Sequence, residues 1–191
     1  MGKQGSFIKR FSDIIISTIS LIIISPVFLL TAIFIKLESK GPIFFLHERT
    51  GLNGKPFKMI KFRGMIENAL DLGPGITQKN DPRITKVGKL LRRTSIDELP
   101  QLINVLMGEM SIIGPRPEIT SITAEYSESQ KTVFNFLPGI TGISQINGRQ
   151  TLTPEQRTEM EINYYSNESF LGDLKIFFIT FWVIISNEGN I

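Results

Sequence analysis

Residues 14–35 read IIISTISLIIISPVFLLTAIFI, an apolar run with no charge between Asp13 and Lys36. As a helix, its 22 residues reach about 33 Å at ~1.5 Å each, enough to cross a hydrocarbon core of about 30 Å. The run is too long for a signal peptide and has no small-residue cleavage site after it. Hydropathy alone describes an ordinary spanning anchor. Two details describe a helix that dips into one leaflet and returns. Ser25-Pro26 sits near the middle; Pro26 has no amide hydrogen to give and frees the Ile22 carbonyl, and Ser25 can hydrogen-bond back one turn earlier. A sharp bend inside lipid is then compatible with satisfied polar groups. Basic residues also flank both ends, with Lys3, Lys9 and Arg10 before the run and Lys36, Lys40, Arg49 and Lys55 after it. The positive-inside tendency wants both ends in the cytoplasm, and a spanning helix satisfies only one. Pro-kinked spanning helices keep the first form open.

Composition narrows the chemistry of the rest. The chain has 191 residues, 21 Lys and Arg against 18 Asp and Glu, no cysteine and one histidine, His47. Disulfides, thiolate metal sites and His-rich zinc sites are thereby excluded. A net charge of +3, spread along the chain, argues against a nucleic-acid partner and fits an anionic membrane surface. Catalysis must lean on carboxylates, Lys, Arg and hydroxyls. Nothing in the sequence reports the oligomeric state.

Residues 36–65 read as short strands or loops with turns at Gly41-Pro42 and Gly51 to Gly54. Glu67 to Leu72 predicts a short helix and Gly73 to Lys79 a flexible loop. Leu99, Leu102, Ile103 and Leu106 fall at helical spacing in a helix predicted from about Thr94, with Gly108 as its terminator. Thr153-Pro154-Glu155-Gln156 predicts another helix start, Thr153 capping, Pro154 at the first position and Gln156 at the third. Ile176 to Ile185 is about 15 Å long as a helix, too short to span. It suits the membrane interface and a protein core equally. The expected fold is a small mixed α/β domain over residues 41–191 behind a membrane segment over residues 1–40.

The stretch with chemistry in it is Leu91 to Pro117, LRRTSIDELPQLINVLMGEMSIIGPRP. Ser95-Ile96-Asp97-Glu98 matches a helix-capping box, which is a purely structural reading of the two acids. Pro100 works against it. A helix capped by Ser95 would put Pro100 at its fifth position, whereas a start at Asp97 places Pro100 in the first turn and leaves the Asp97 carboxylate free. Unpaired first-turn amides make such a place a phosphate site. Arg92 and Arg93 precede it and Arg116 follows in a Pro-Arg-Pro turn, offering planar forks suited to phosphate oxygens. Two adjacent acids suit Mg²⁺, which takes one or two carboxylates plus phosphate oxygens.

Together with LHERTGLNGKPFKMIKFRGM before it, LPGITGISQINGR after it and EINYYSNESFLGDLKIFF near the end, this stretch closely resembles the monotopic phosphoglycosyl transferases. That bacterial sugar transferase family starts glycan assembly on polyprenyl phosphate. The resemblance runs from about Phe7 to Gly189 and suggests the minimal catalytic form. It implies a re-entrant helix bent at Ser25-Pro26, interfacial helices, an Asp97-Glu98 catalytic dyad and a Mg²⁺ requirement. It also implies phosphate or nucleotide contacts at Lys61, Arg63, Arg92, Pro115, Arg116, Pro117 and Arg149. Two positions depart from the family pattern. His47 stands where Gln is common, and Gly64 where Ser or Thr usually follows Lys-Phe-Arg.

The activity so implied moves a sugar phosphate from a UDP-sugar to polyprenyl (undecaprenyl) phosphate at the cytoplasmic face of the bacterial inner membrane. Asp97 would be the nucleophile, and Glu98 the metal or orienting partner. Direct transfer with a carboxylate as general base is a rival within that chemistry. A membrane-anchored scaffold with Asp97-Glu98 as a mere cap is a rival outside it.

Overall fold

A computed structural model describes residues 7–69, 72–73, 81–148 and 152–186, with no side chains considered for 184–186. The apolar run lies inside helix α1, Phe7–Glu38 (32 residues), which continues through Pro26. The Ser25 hydroxyl donates to the Ile22 carbonyl at 2.8 Å, the oxygen that Pro26 leaves unpaired. Mean hydropathy over its most apolar window is 2.5, long and apolar enough to cross a membrane.

Both ends of α1 are nevertheless fastened to the same body. Near the start, Arg10 donates to the Val105 and Leu106 carbonyls at 2.6 and 3.0 Å. Asp13, buried, accepts from the Ser111 hydroxyl and the Ile112 amide. Lys9 pairs with Glu168 and Asp173. Near the far end, Ile35 packs with Phe62 and Leu91, and the Glu38 carboxylate accepts from the Lys86 and Val87 amides. Between Ser17 and Thr31 no α1 residue is buried. The middle of the helix offers Ile19, Ile22, Ile23, Leu29 and Leu30 to the surroundings.

A hairpin follows, β1 (Phe44–Thr50) against β2 (Pro56–Phe62), antiparallel with His47 opposite Met59 and Phe45 opposite Lys61. Exposure along β1 alternates, so Phe45, His47 and Arg49 face inward while Phe44, Leu46 and Glu48 face out. Arg49 is thus an interior residue of the hairpin and does not flank the membrane run. The helix expected over Glu67 to Leu72 is absent among the described residues. Glu67 to Ala69 form a turn in which Asn68 has φ 58°, a left-handed conformation that a helix does not tolerate. Of the expected loop Gly73 to Lys79, only Gly73 lies within the described residues.

Helix α2 (Lys86–Arg93) begins under a double cap, the Thr85 hydroxyl on Gly88 and the Glu38 carboxylate on the first two amides. Helix α3 is Gln101–Met107, closed by Gly108 at φ 83°. It starts later than expected. Thr94 ends α2, Ser95 has φ 56° and makes no side-chain cap, and a 3₁₀ turn covers Ile96–Glu98 before Pro100 leads into α3. The capping-box reading of the dyad therefore fails, and so does the helix start at Asp97. Pro100 sits just ahead of α3, where its missing amide costs nothing.

Two three-residue strands, β3 (Ser111–Ile113) and β4 (Gly139–Thr141), pair in parallel at the centre. Helix α4 (Pro154–Ser166) starts at the expected box, Thr153 and Gln156 capping each other's backbone. Helix α5 (Phe170–Ser186) begins earlier than Ile176. Ile176 is in the core with Met59, Val105, Met110, Ile112, Phe136 and Tyr165. Phe178, Phe181 and Trp182 on the same helix are exposed. The fold is a small mixed helix and sheet domain with one long apolar N-terminal helix.

Candidate active site

Asp97 and Glu98 occupy the short 3₁₀ turn between α2 and α3. Glu98 is ion-paired with Lys61 of β2 at 2.8 Å. Asp97 is half-buried, and its carboxyl is pushed up to about 6, chiefly by burial and then by the neighbouring Glu98 charge. Lys61 and Arg92 pull the other way. Two like charges side by side cannot both ionise cheaply, so the pair favours a retained proton or a bound cation.

Lys61 reaches the dyad because Asn104 welds α3 to β2. Fully buried, its amide accepts from Ile60 N at 2.9 Å and donates to the Lys58 carbonyl and to Glu109. One buried side chain thus fixes the strand bearing Lys61 against the helix that follows the dyad.

The Pro-Arg-Pro turn leaves β3 directly. Gly114 donates to Thr141 O and Gly139 donates to Pro115 O, both at 2.9 Å. Backbones approach so closely here that a Cβ on Gly139 would lie 2.1 Å from Gly114 N. Only glycine fits. The Arg116 amide donates at 3.0 Å to Glu161 of α4, a carboxylate only 2% exposed that also accepts from the Ser144 hydroxyl. Burial raises the Glu161 carboxyl, against the pull of these donors, Arg157 and Arg116. The turn walls two hollows. One, about 230 Å³, is lined by Arg49, Lys61, Glu98, Gln101, Arg116 and Pro117 among others. The other, about 310 Å³, lies between the turn, Tyr126 and Phe134.

Of the residues singled out from sequence, Glu98, Lys61, Arg116 and Pro117 line one cleft, with Pro115 bracing the turn, and Asp97 stands beside Glu98 within the influence of Lys61 and Arg92. Arg63 is elsewhere. It is buried and donates to the Ser39 carbonyl and hydroxyl, fastening the chain after α1. Arg149 lies outside the described residues, and Arg93 is exposed at the end of α2. At Gly64, an added Cβ would sit 3.6 Å from Arg92 Nε in ordinary contact, so the expected Ser or Thr would touch that arginine. Sequence reasoning missed Asn104, Glu161 and Arg49 as parts of the site.

This cleft, two crowded carboxylates faced by lysine and arginine beside an exposed apolar helix, has the make-up of a phosphate-handling site at a membrane. The chain belongs to the bacterial sugar transferase family, whose pattern it matches over residues 4–187. It is 45% identical over 90% of its length to UDP-glucose:undecaprenyl-phosphate glucose-1-phosphate transferase of Klebsiella pneumoniae, covering 39% of that protein. It is 37% identical to exopolysaccharide production protein ExoY of Sinorhizobium fredii, over 97% of this chain and 89% of ExoY. A third relative is UDP-N-acetylgalactosamine-undecaprenyl-phosphate N-acetylgalactosaminephosphotransferase of Aeromonas hydrophila, 39% identical over 96% of this chain and 45% of that one. The chain spans about two fifths of the length of the Klebsiella relative.

Proposed function

We propose that the protein transfers a sugar phosphate from a UDP-sugar to polyprenyl (undecaprenyl) phosphate, giving a polyprenyl-diphosphate sugar and UMP in the first membrane step of a bacterial glycan pathway. The observation that carries this is the Asp97 carboxyl, half-buried beside Glu98 with Lys61 and Arg92 acting on it, next to a cleft that Glu98, Lys61 and Arg116 line. An Asp97 oxygen attacks the β-phosphorus, the bond from that phosphorus to the bridging oxygen breaks, and UMP departs with the electron pair. An oxygen of the lipid phosphate then attacks the aspartyl phosphosugar and returns the Asp97 carboxylate. Splitting the transfer in two lets both substrates use one site in turn. Lys61 and Arg116 counter charge on the phosphoryl oxygens, and Glu161 keeps the Arg116 turn in place.

Mg²⁺ suits the donor set. Asp97 and Glu98 provide hard oxygens whose mutual repulsion a divalent ion would relieve. Among the described residues no cluster of three or more His, Asp or Glu side chains occurs, so phosphate oxygens and water would complete such a site. When bound, the ion neutralises charge on the transferring group.

The membrane part of the reading is a re-entrant α1, with α5 lying in the interface and the cleft on the cytoplasmic side of the inner membrane. It is supported by the attachment of both α1 ends to one body and by the unburied apolar middle. A spanning helix would carry its ends to opposite faces of a core about 30 Å thick. Held this way, the cleft meets the lipid phosphate at head-group level, which removes part of the entropic cost of the encounter.

The test is a panel of UDP-sugars offered with undecaprenyl phosphate in detergent or nanodiscs, scored by UMP release. At least one donor is expected to give UMP, and Asp97→Asn none. A panel with no active donor, or full activity in Asp97→Asn, would overturn the reading.

A further inference from the structure

We propose that Arg49 is a second arginine of the donor diphosphate site and that His47 is the positioning residue that aims it, an inference resting on the transferase reading above. Arg49 projects from the inward face of β1 and lines the same cleft as Lys61, Glu98 and Arg116. Its guanidinium is held from three sides. One terminal nitrogen donates to the Pro117 carbonyl at 3.3 Å and lies 3.8 Å from Glu118. The other donates to His47 Nδ1 at 3.1 Å. The fork is therefore tied to the Pro-Arg-Pro turn and has little freedom to lose on binding an anion.

The charge balance points the same way. Arg49 is held close to Arg116, and burial together with that neighbour lowers Arg49 to about 10. Glu118, the acid nearest Arg49, also pairs with Arg157. Two arginines kept together in a cleft, with one of their counter-charges shared, make a receptor for a doubly charged anion. A diphosphate has that charge and two sets of oxygens to offer.

His47 acts through Arg49. Because Nδ1 accepts, the ring carries its proton on Nε2 and must be neutral to hold Arg49. Burial, Arg49 and Lys61 keep it so, lowering the ring to about 4. Glutamine offers an acceptor oxygen in its place, whereas leucine fills the space and offers none.

Binding of UDP, used as the diphosphate probe, is measured by calorimetry on the full chain in nanodiscs, alongside melting temperature and the donor KM and kcat. Arg49→Lys keeps the charge but loses the fork, and is expected to weaken UDP roughly 10-fold or more. His47→Leu is expected to weaken UDP and raise the donor KM by roughly 3- to 10-fold, at unchanged melting temperature. His47→Gln is expected to recover most of that loss. The proposal is overturned if Arg49→Lys binds UDP as the wild type does, or if His47→Gln is as impaired as His47→Leu. Should the wild type itself not bind UDP, the transferase reading falls first, and the aiming role with it.

Discussion

Asp97 exacts a stability cost. Its carboxyl is raised to about 6 in the fold from a reference of 3.8, so the folded state holds its proton more tightly than the unfolded chain. The associated stability is present below about pH 4 and is lost as pH rises through 6. At pH 7.5 in EDTA, Asp97→Asn should therefore be the more stable protein by on the order of 1 kcal/mol, the group being half-buried. For a chain of this size that is about 2–4 °C in melting temperature. The same substitution should abolish turnover. An unchanged or lowered melting temperature would mean that the two carboxylates are not in conflict. Glu161 is raised by burial as well, but its carboxylate accepts hydrogen bonds from the Arg116 amide and the Ser144 hydroxyl. Replacing it with Leu strands the Arg116 amide and leaves the Ser144 hydroxyl only Gln145 to donate to, and should cost about 1–3 kcal/mol by thermal or denaturant unfolding, together with a loss of kcat. Of these residues, Asp97 and Arg116 stood out from sequence by motif. Glu161 did not, because its partner is 45 positions away and a lone glutamate on a helix looks like surface. His47 stands where glutamine is common, and both offer an acceptor to Arg49.

Among the elements, those with local signals were legible. The α4 start needed only Thr153 and Gln156, three positions apart, and the turn at Gly51 to Gly54 was legible, although the strands around it read equally as loops. Helix α2 was not foreseen, since part of its cap is Glu38, 48 positions earlier. Strands β3 and β4 are too short for any periodicity. Pro100 rightly argued against a helix capped at Ser95, whose backbone is left-handed, but the start it suggested at Asp97 is a 3₁₀ turn and the α-helix begins only at Gln101. Glu38→Ala should lower stability by about 1 kcal/mol in a melt, the loss of a helix cap. For α1, cysteines placed at residues 3 and 40 should both react with a membrane-impermeant reagent from the same side of sealed vesicles. Labelling from opposite sides would make α1 a spanning helix.

At the scale of the molecule, the long apolar helix and the rest of the domain share a core. Ile35 packs with Phe62 and Leu91, and Arg10 and Asp13 occupy backbone groups at the end of α3 and on β3. A chain lacking residues 1–38 should expose that surface and leave buried polar groups unpaired, so it is expected to aggregate or lose near-UV circular dichroism. A monodisperse, ordered fragment would show that the anchor is merely appended. That one long apolar helix precedes a small mixed domain was legible, because the run has no charge from Ile14 to Ile35. That both its ends are fastened to one body was not, since the contacts at its start join residues 98 and 99 positions apart and those at its far end residues 48 and 49 apart. The account turns on covalent capture of the phosphosugar by Asp97, and the most direct measurement is UMP released from an accepted UDP-sugar with no polyprenyl phosphate present. A burst approaching one UMP per protein, absent in Asp97→Asn, is the predicted result; release only when the lipid phosphate is added would contradict it.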